Sequence, residues 1–172
     1  VSPDSNFDSG GVLPSPCYFL KIPEIKGDAV HRDHPGEITL RSWSWGEKQN
    51  MVFKQDVKNT SSVSMRKFKF RATTGAASPQ LFLFCASAKI LKSATLTCIK
   101  PKGNDFTTYL TVELTNVIVT SYKIEGQDGS FIPADNFSLS FRKIEIKFSG
   151  EKPDRTSAGN FSAAWDLSTD KS

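Results

Sequence analysis

The stretch Phe137-Ser138-Leu139-Ser140-Phe141-Arg142-Lys143-Ile144-Glu145-Ile146-Lys147-Phe148 decides the fold class. Its first half alternates, with Phe137, Leu139 and Phe141 on one face and serines between them. Strand side chains point to opposite faces with a period of two, so this reads as a half-buried strand. Beyond Arg142 and Lys143 the apolar positions become Ile144, Ile146 and Phe148, on the other parity. Such a one-residue slip exchanges inside for outside, and no turn residue intervenes to end the strand. A bulge or bend in a curled sheet is the natural reading, as in small barrels and two-sheet sandwiches. The slip recurs at Asn116, where Leu110, Val112 and Leu114 give way to Val117 and Val119, and again between Met65 and Phe68. At Asn116 two short strands meeting end to end are an equal alternative.

Outward from this stretch the chain is mainly β. Strands are expected over Tyr18–Pro23, Glu37–Trp45, Val63–Thr73, Ala94–Lys100, Tyr109–Ile124 and Phe137–Phe148, from their β-branched and aromatic content. Breakers separate them at His34-Pro35-Gly36, 75–78, 101–103 and 126–129. One helix is expected. Ser78 reads as its N-cap, Pro79 sits where a missing N–H costs nothing, and Gln80–Ile90 supplies three turns. Leu81, Phe82, Leu83 and Phe84 put apolar groups on nearly every side of it. A helix that is apolar all round is wholly buried or shares its outer face with a partner. A barrel of this size has little room to bury one, so Leu81 and Phe84 are assigned to subunit contact. Residues 47–62 read as a long polar loop, in which Gln49, Lys54 and Asp56 are further candidates for contact between subunits.

Composition narrows the function. The 172 residues are 38% hydrophobic and 11% aromatic, which suits one folded domain. Residues 1–16, rich in Gly, Ser and Pro, are expected to be a flexible extension, with 17–172 forming the domain. A net charge of +4, without a dense Lys/Arg face, does not predict nucleic-acid binding. The interleaved run Met65–Arg71 sorts on a strand into Phe68 and Phe70 inward and cations outward. No apolar run approaches the ~20 residues a membrane span needs, and residues 1–16 lack the features of a secretory signal. Cys17, Cys85 and Cys98 lie in apolar stretches with no C-x-x-C, so neither a disulfide framework nor a zinc site is expected.

Catalytic chemistry finds little support. The only histidines, His31 and His34, share a turn with Asp33, but Arg32 sets a cation among them; solvated loop histidines are the expectation. There is no G-x-S-x-G elbow, P-loop or dinucleotide fingerprint, and the acids scatter over loops and polar faces. No catalytic residue, metal or cofactor is assigned.

Several segments, in order, resemble the Hcp family of bacterial type VI secretion. They are Phe19–Asp28, Gly36–Gly46 with its Ser42-Trp43-Ser44-Trp45 core, Ala77–Ser87, and Ala94–Thr97 followed by Lys100. Tyr109-Leu110, Val119–Tyr122 and Ala164–Leu167 continue the series to the C-terminus. Ala88 stands where the family often has Gly, and 126–135 is poorer in Gly than the family's corresponding stretch.

The resemblance implies a small β-barrel of two sheets with one flanking helix, akin to phage tail-tube subunits. It implies hexameric rings that stack into a tube inside a contractile sheath, tipped by a VgrG-type spike and seated on a baseplate, with effector proteins in the lumen. Release through that apparatus needs no signal peptide, so the protein is expected first in the bacterial cytoplasm and then outside. The competing expectations are a stand-alone β-sandwich that binds a sugar or peptide and, more remotely, a metal hydrolase built on His31, Asp33 and His34.

Overall fold

A computed structural model describes residues 18–51 and 61–169. In chain order the elements are β1 (Tyr18–Lys21), β2 (Ile38–Ser44), β3 (Glu47–Met51), β4 (Ser61–Met65) and β5 (Phe68–Thr73). They continue as α1 (Ser78–Ser87), β6 (Leu91–Lys102), β7 (Asp105–Glu125), β8 (Ala134–Glu151) and β9 (Ser157–Asp166). The proposed extension, residues 1–16, lies outside the described residues.

Six strands close a barrel in the order β5-β2-β1-β6-β7-β8, and β8 returns to β5; all neighbours are antiparallel. The mainly β barrel with one flanking helix is therefore the observed architecture. β8 changes lateral partner along its length. Its first part, Ala134–Leu139, pairs with β5, and Lys143–Glu151 pairs with β9. The second half of β8, the first half of β7, the matching end of β6 and all of β9 thus run on as a flap.

The two long-strand phase slips are a single event. Thr115 opposes Lys143 and Val117 opposes Phe141, so Asn116 and Arg142 face each other on one skipped rung. Asn116 takes φ +52°, a left-handed conformation that asparagine tolerates. Both strands change phase together, so Leu114 with Ile144, and Val117 with Phe141, stay buried on either side of the bend. The third slip has the simpler explanation. Arg66 and Lys67 separate β4 from β5, so the single strand expected over Val63–Thr73 is two.

β3 and β4 form their own two-stranded ribbon at the ends of the expected 47–62 loop. It leaves the barrel where Arg66 N–H donates to the Gly46 carbonyl at 3.0 Å and Trp45 Nε1 donates to the Arg66 carbonyl at 2.9 Å. β9, poor in β-branched residues, was not expected as a strand; its main chain is recruited by the free side of β8.

The helix is shorter than expected. It stops at Ser87, and Ala88 takes φ 51°, the left-handed C-cap role usually given to glycine. Ser78 is its first residue and not its cap. The Ser78 hydroxyl accepts the Gly75 N–H at 2.9 Å and donates to Asp135 Oδ2 at 2.5 Å. Asp135, only 2% exposed, also accepts from Thr74 Oγ1 at 2.8 Å and Tyr122 OH at 3.1 Å. One buried carboxylate therefore ties the helix start to β7 and β8, and its burial is compensated by three donors.

Candidate assembly surface

The three side chains of the expected hydrolase reading, His31, Asp33 and His34, are engaged within their own turn and the core beneath it. His34 Nδ1 lies 2.7 Å from Glu37 Oε2, and its ring stacks on Phe19 with centroids 4.5 Å apart. His31 packs edge-on to Phe106 and takes the Asp33 N–H on Nδ1. These histidines are not solvated loop residues. They cover a small second core of Phe19, Ala29 and Ile99. Asp33 is held by Arg32, whose guanidinium also reaches Asp105 at 2.9 Å. That pairing lowers the Asp33 carboxyl and raises Arg32. Among the described residues no group of three His, Cys, Asp or Glu side chains is placed to hold a metal, and no helix is long and apolar enough to cross a membrane.

Apolar surface left without cover defines the candidate site instead. On α1 the structure corrects the expected contact residues. Leu81 is 1% exposed and Phe84 7%, both packed in the barrel core. Ser78, Leu81 and Phe84 are spaced by three, so they share the face turned to the sheet. Phe82 and Leu83, at 61% and 50% exposure, are the residues turned outward. The surplus inferred from the sequence exists, one position along from where it was placed. Of the other candidates Gln49 is exposed on β3, whereas Lys54 and Asp56 lie outside the described residues.

A second patch lies on the flap, which no pattern in the sequence singled out. The buried face of β7 and β8 continues past the barrel from Ile144 through Ile146 to Phe148 and Leu110. Phe161 opposes Phe148 and Trp165 opposes Ile144, carrying the same face on to β9. Phe148, Phe161 and Trp165 are each 45–61% exposed, and β9 has no strand on its outer side among the described residues. A core-type face and an open strand edge coincide here, a combination that pairs with another chain when left bare.

The two patches lie toward opposite ends of one strand. Tyr122, bonded to the carboxylate that anchors α1, is twelve residues from Leu110 on β7. At ~3.3 Å per residue a straight strand of that length spans at most about 40 Å, which the bend at Asn116 and the bulge after Val119 shorten.

Residues 19–148 match the family described as type VI secretion system effector, Hcp. The chain is 28% identical to protein hcp1 of Pseudomonas aeruginosa over 142 residues, 82% of this chain and 88% of that protein. Among solved structures it is similar to Hcp1 from Salmonella typhimurium, with a TM-score of 0.71 at 28% identity, covering 90% of this chain and 96% of the other. A type VI secretion system effector from Yersinia pestis also has a TM-score of 0.71, at 26% identity over 87% and 98% of the two chains.

Proposed function

This chain belongs to the Hcp family of type VI secretion, a family of secreted structural proteins and not of enzymes, and on that premise we propose that its work is assembly. It is a subunit of hexameric rings that stack into the inner tube, whose lumen carries or protects effector proteins. A sheath surrounds that tube, a VgrG-type spike tips it, a baseplate seats it, and the protein leaves the cell by that route.

The observation that carries the proposal is the pair of unlike apolar patches on one subunit. A patch that matches itself gives a closed two-fold dimer, whereas two different patches joined head to tail propagate and, when the rotation closes, make a ring. The Phe148, Phe161 and Trp165 face supplies one side of that contact and the exposed Phe82 and Leu83 the other.

The test is electron microscopy and mass photometry of the purified chain. Parent protein gives annular particles of six subunits. Phe161→Arg yields monomers with unchanged strand content and urea midpoint. Leu81→Ala instead loses about 2–4 kcal/mol of subunit stability, as a core residue should. A monomeric parent would favour the stand-alone binding module, and intact Phe161→Arg rings would remove the flap from the interface.

A further inference from the structure

The outward face of β2, β5, β8 and β7 forms an open trough of about 540 Å³, distinct from both apolar patches. Cross-strand register arranges its side chains in two rows. Lys69 on β5 lies between Ser44 and Ser138, and Arg71 lies between Ser42 and Asn136. β7 extends the rows with Ser121 beside Ser138 and Lys123 beside Asn136. Each of these side chains can donate hydrogen bonds and none is acidic.

Two register shifts build this arrangement. In β2, Leu40 opposes Ala72 but Ser42 opposes Arg71, so Arg41 is skipped. Unbroken pairing would set Arg41 against Arg71, two cations side by side; the shift sends Arg41 Nε to Thr73 Oγ1 at 2.9 Å. In β7 the shift between Val119 and Ser121 carries Ser121 and Lys123 to the outer face. Without it Lys123 would oppose the buried Asp135. Bulges that re-aim side chains cluster next to functional sites, and here two of them border one trough.

The charge in the trough is only partly compensated, by a single acid that acts on Lys123 first and on Arg71 more weakly. Its rim acid, Glu125, is taken up by Lys123 at 2.5 Å and Asn136 at 2.8 Å. Among the described residues neither Lys69 nor Arg71 has a carboxylate within 4.0 Å. We propose that this trough docks an extended acidic segment of a partner protein, with carboxylates on alternate residues. Lys69 and Arg71 are two residues apart on one strand, about 7 Å, which is the spacing of alternate side chains in any extended chain. Ser42 and Ser44, both exposed on β2, can meet the carbonyls of the bound segment, whereas Ser138 is buried and bonded to Ser121 and Thr120. A lone phosphate would instead call for donors converging on one point, and a nucleic-acid strand for open stacking rings. Trp43, the aromatic nearest the serines of β2, is already engaged by Tyr18 and Phe68.

Fluorescence anisotropy with a labelled peptide alternating glutamate and serine tests this on the full chain. The peptide should bind more tightly than its glutamine counterpart, and less tightly as salt rises. Lys69→Ser with Arg71→Ser should weaken binding roughly tenfold, the effect of two partly exposed ion pairs. Lys147→Ser, on the flap, should change nothing. Ser44→Asp, which adds a like charge at an exposed position beside Lys69, should weaken binding with both cations in place. Equal binding of the glutamate and glutamine peptides, or full affinity in the double variant and Ser44→Asp, overturns the proposal. So does displacement by inorganic phosphate or a short single-stranded oligonucleotide at the peptide's own concentration, which would mark a general anion surface.

Discussion

Replacing Asp135 by alanine removes the acceptor on which Thr74, Ser78 and Tyr122 all converge, at 2.8, 2.5 and 3.1 Å. A hydrogen bond to a charged group contributes about 1.5–3 kcal/mol net. Summing three of them overestimates the loss, because Thr74 and Tyr122 are half-exposed and water can reach them when the carboxylate is gone. Ser78 is buried and has no such recourse, and the buried carboxylate carries a desolvation cost that the variant escapes. The balance is a loss of about 3–5 kcal/mol, a large share of the stability of a domain this size. Asp135→Asn keeps one oxygen but turns an amide toward the Ser78 hydroxyl, and should lose about 1–2 kcal/mol. Urea unfolding followed through the three tryptophans gives both values. An Asp135→Ala variant within about 1 kcal/mol of the parent would refute the reasoning, since the cluster would then contribute no more than an ordinary surface contact.

The same cluster predicts a response to alkali. Burial raises the Tyr122 phenol above its ordinary value; the nearby Ser78 hydroxyl opposes this in part, and the Asp135 carboxylate adds to it. A raised value means the fold favours the neutral phenol. Its contribution is full below about pH 10 and is lost as pH rises through the raised value. The stability difference between the parent and Tyr122→Phe should therefore shrink above about pH 10, and a difference flat from about pH 8 to 11 would contradict this. Gly27→Ala should destabilise by about 1–3 kcal/mol, because a methyl there meets the Glu37 carbonyl. Gly46→Ala, with nothing within 4 Å of the added carbon, should stay within about 0.5 kcal/mol by thermal unfolding.

What could be read from the sequence follows from where side chains carry a signal. The strands around Phe137–Phe148 and Tyr109–Ile124 alternate strongly, and their phase slips marked a real bend. That the two slips face each other was not legible, since cross-strand register is a property of pairing and not of either strand alone. The β3–β4 ribbon and β9 escaped notice for the opposite reason. Glu47–Asn50 has no apolar face, and Ser157–Ala164 is mostly small or polar, so main-chain pairing sets their form. On α1 four consecutive apolar residues gave no phase, and Leu81 and Phe84 were placed outward. The barrel chose them as core through the anchor at Ser78, which turns the positions spaced by three toward the sheet. The flap patch was hidden differently: Phe148 and Phe161 look like ordinary core residues until the barrel is seen to close without them.

The exchange of neighbours along β8 has a mechanical consequence. β7 and β8 stay bonded from Leu110/Phe148 to Glu125/Ala134, a ladder interrupted only by one skipped rung and one bulge. Antiparallel rungs lie crosswise to the strands. Load applied along this beam is shared among many bonds at once, whereas load that peels β9 from the rim breaks them in sequence. Lengthwise force thus falls on the β7–β8 ladder as a whole, and the direction that unzips is confined to the rim at β9.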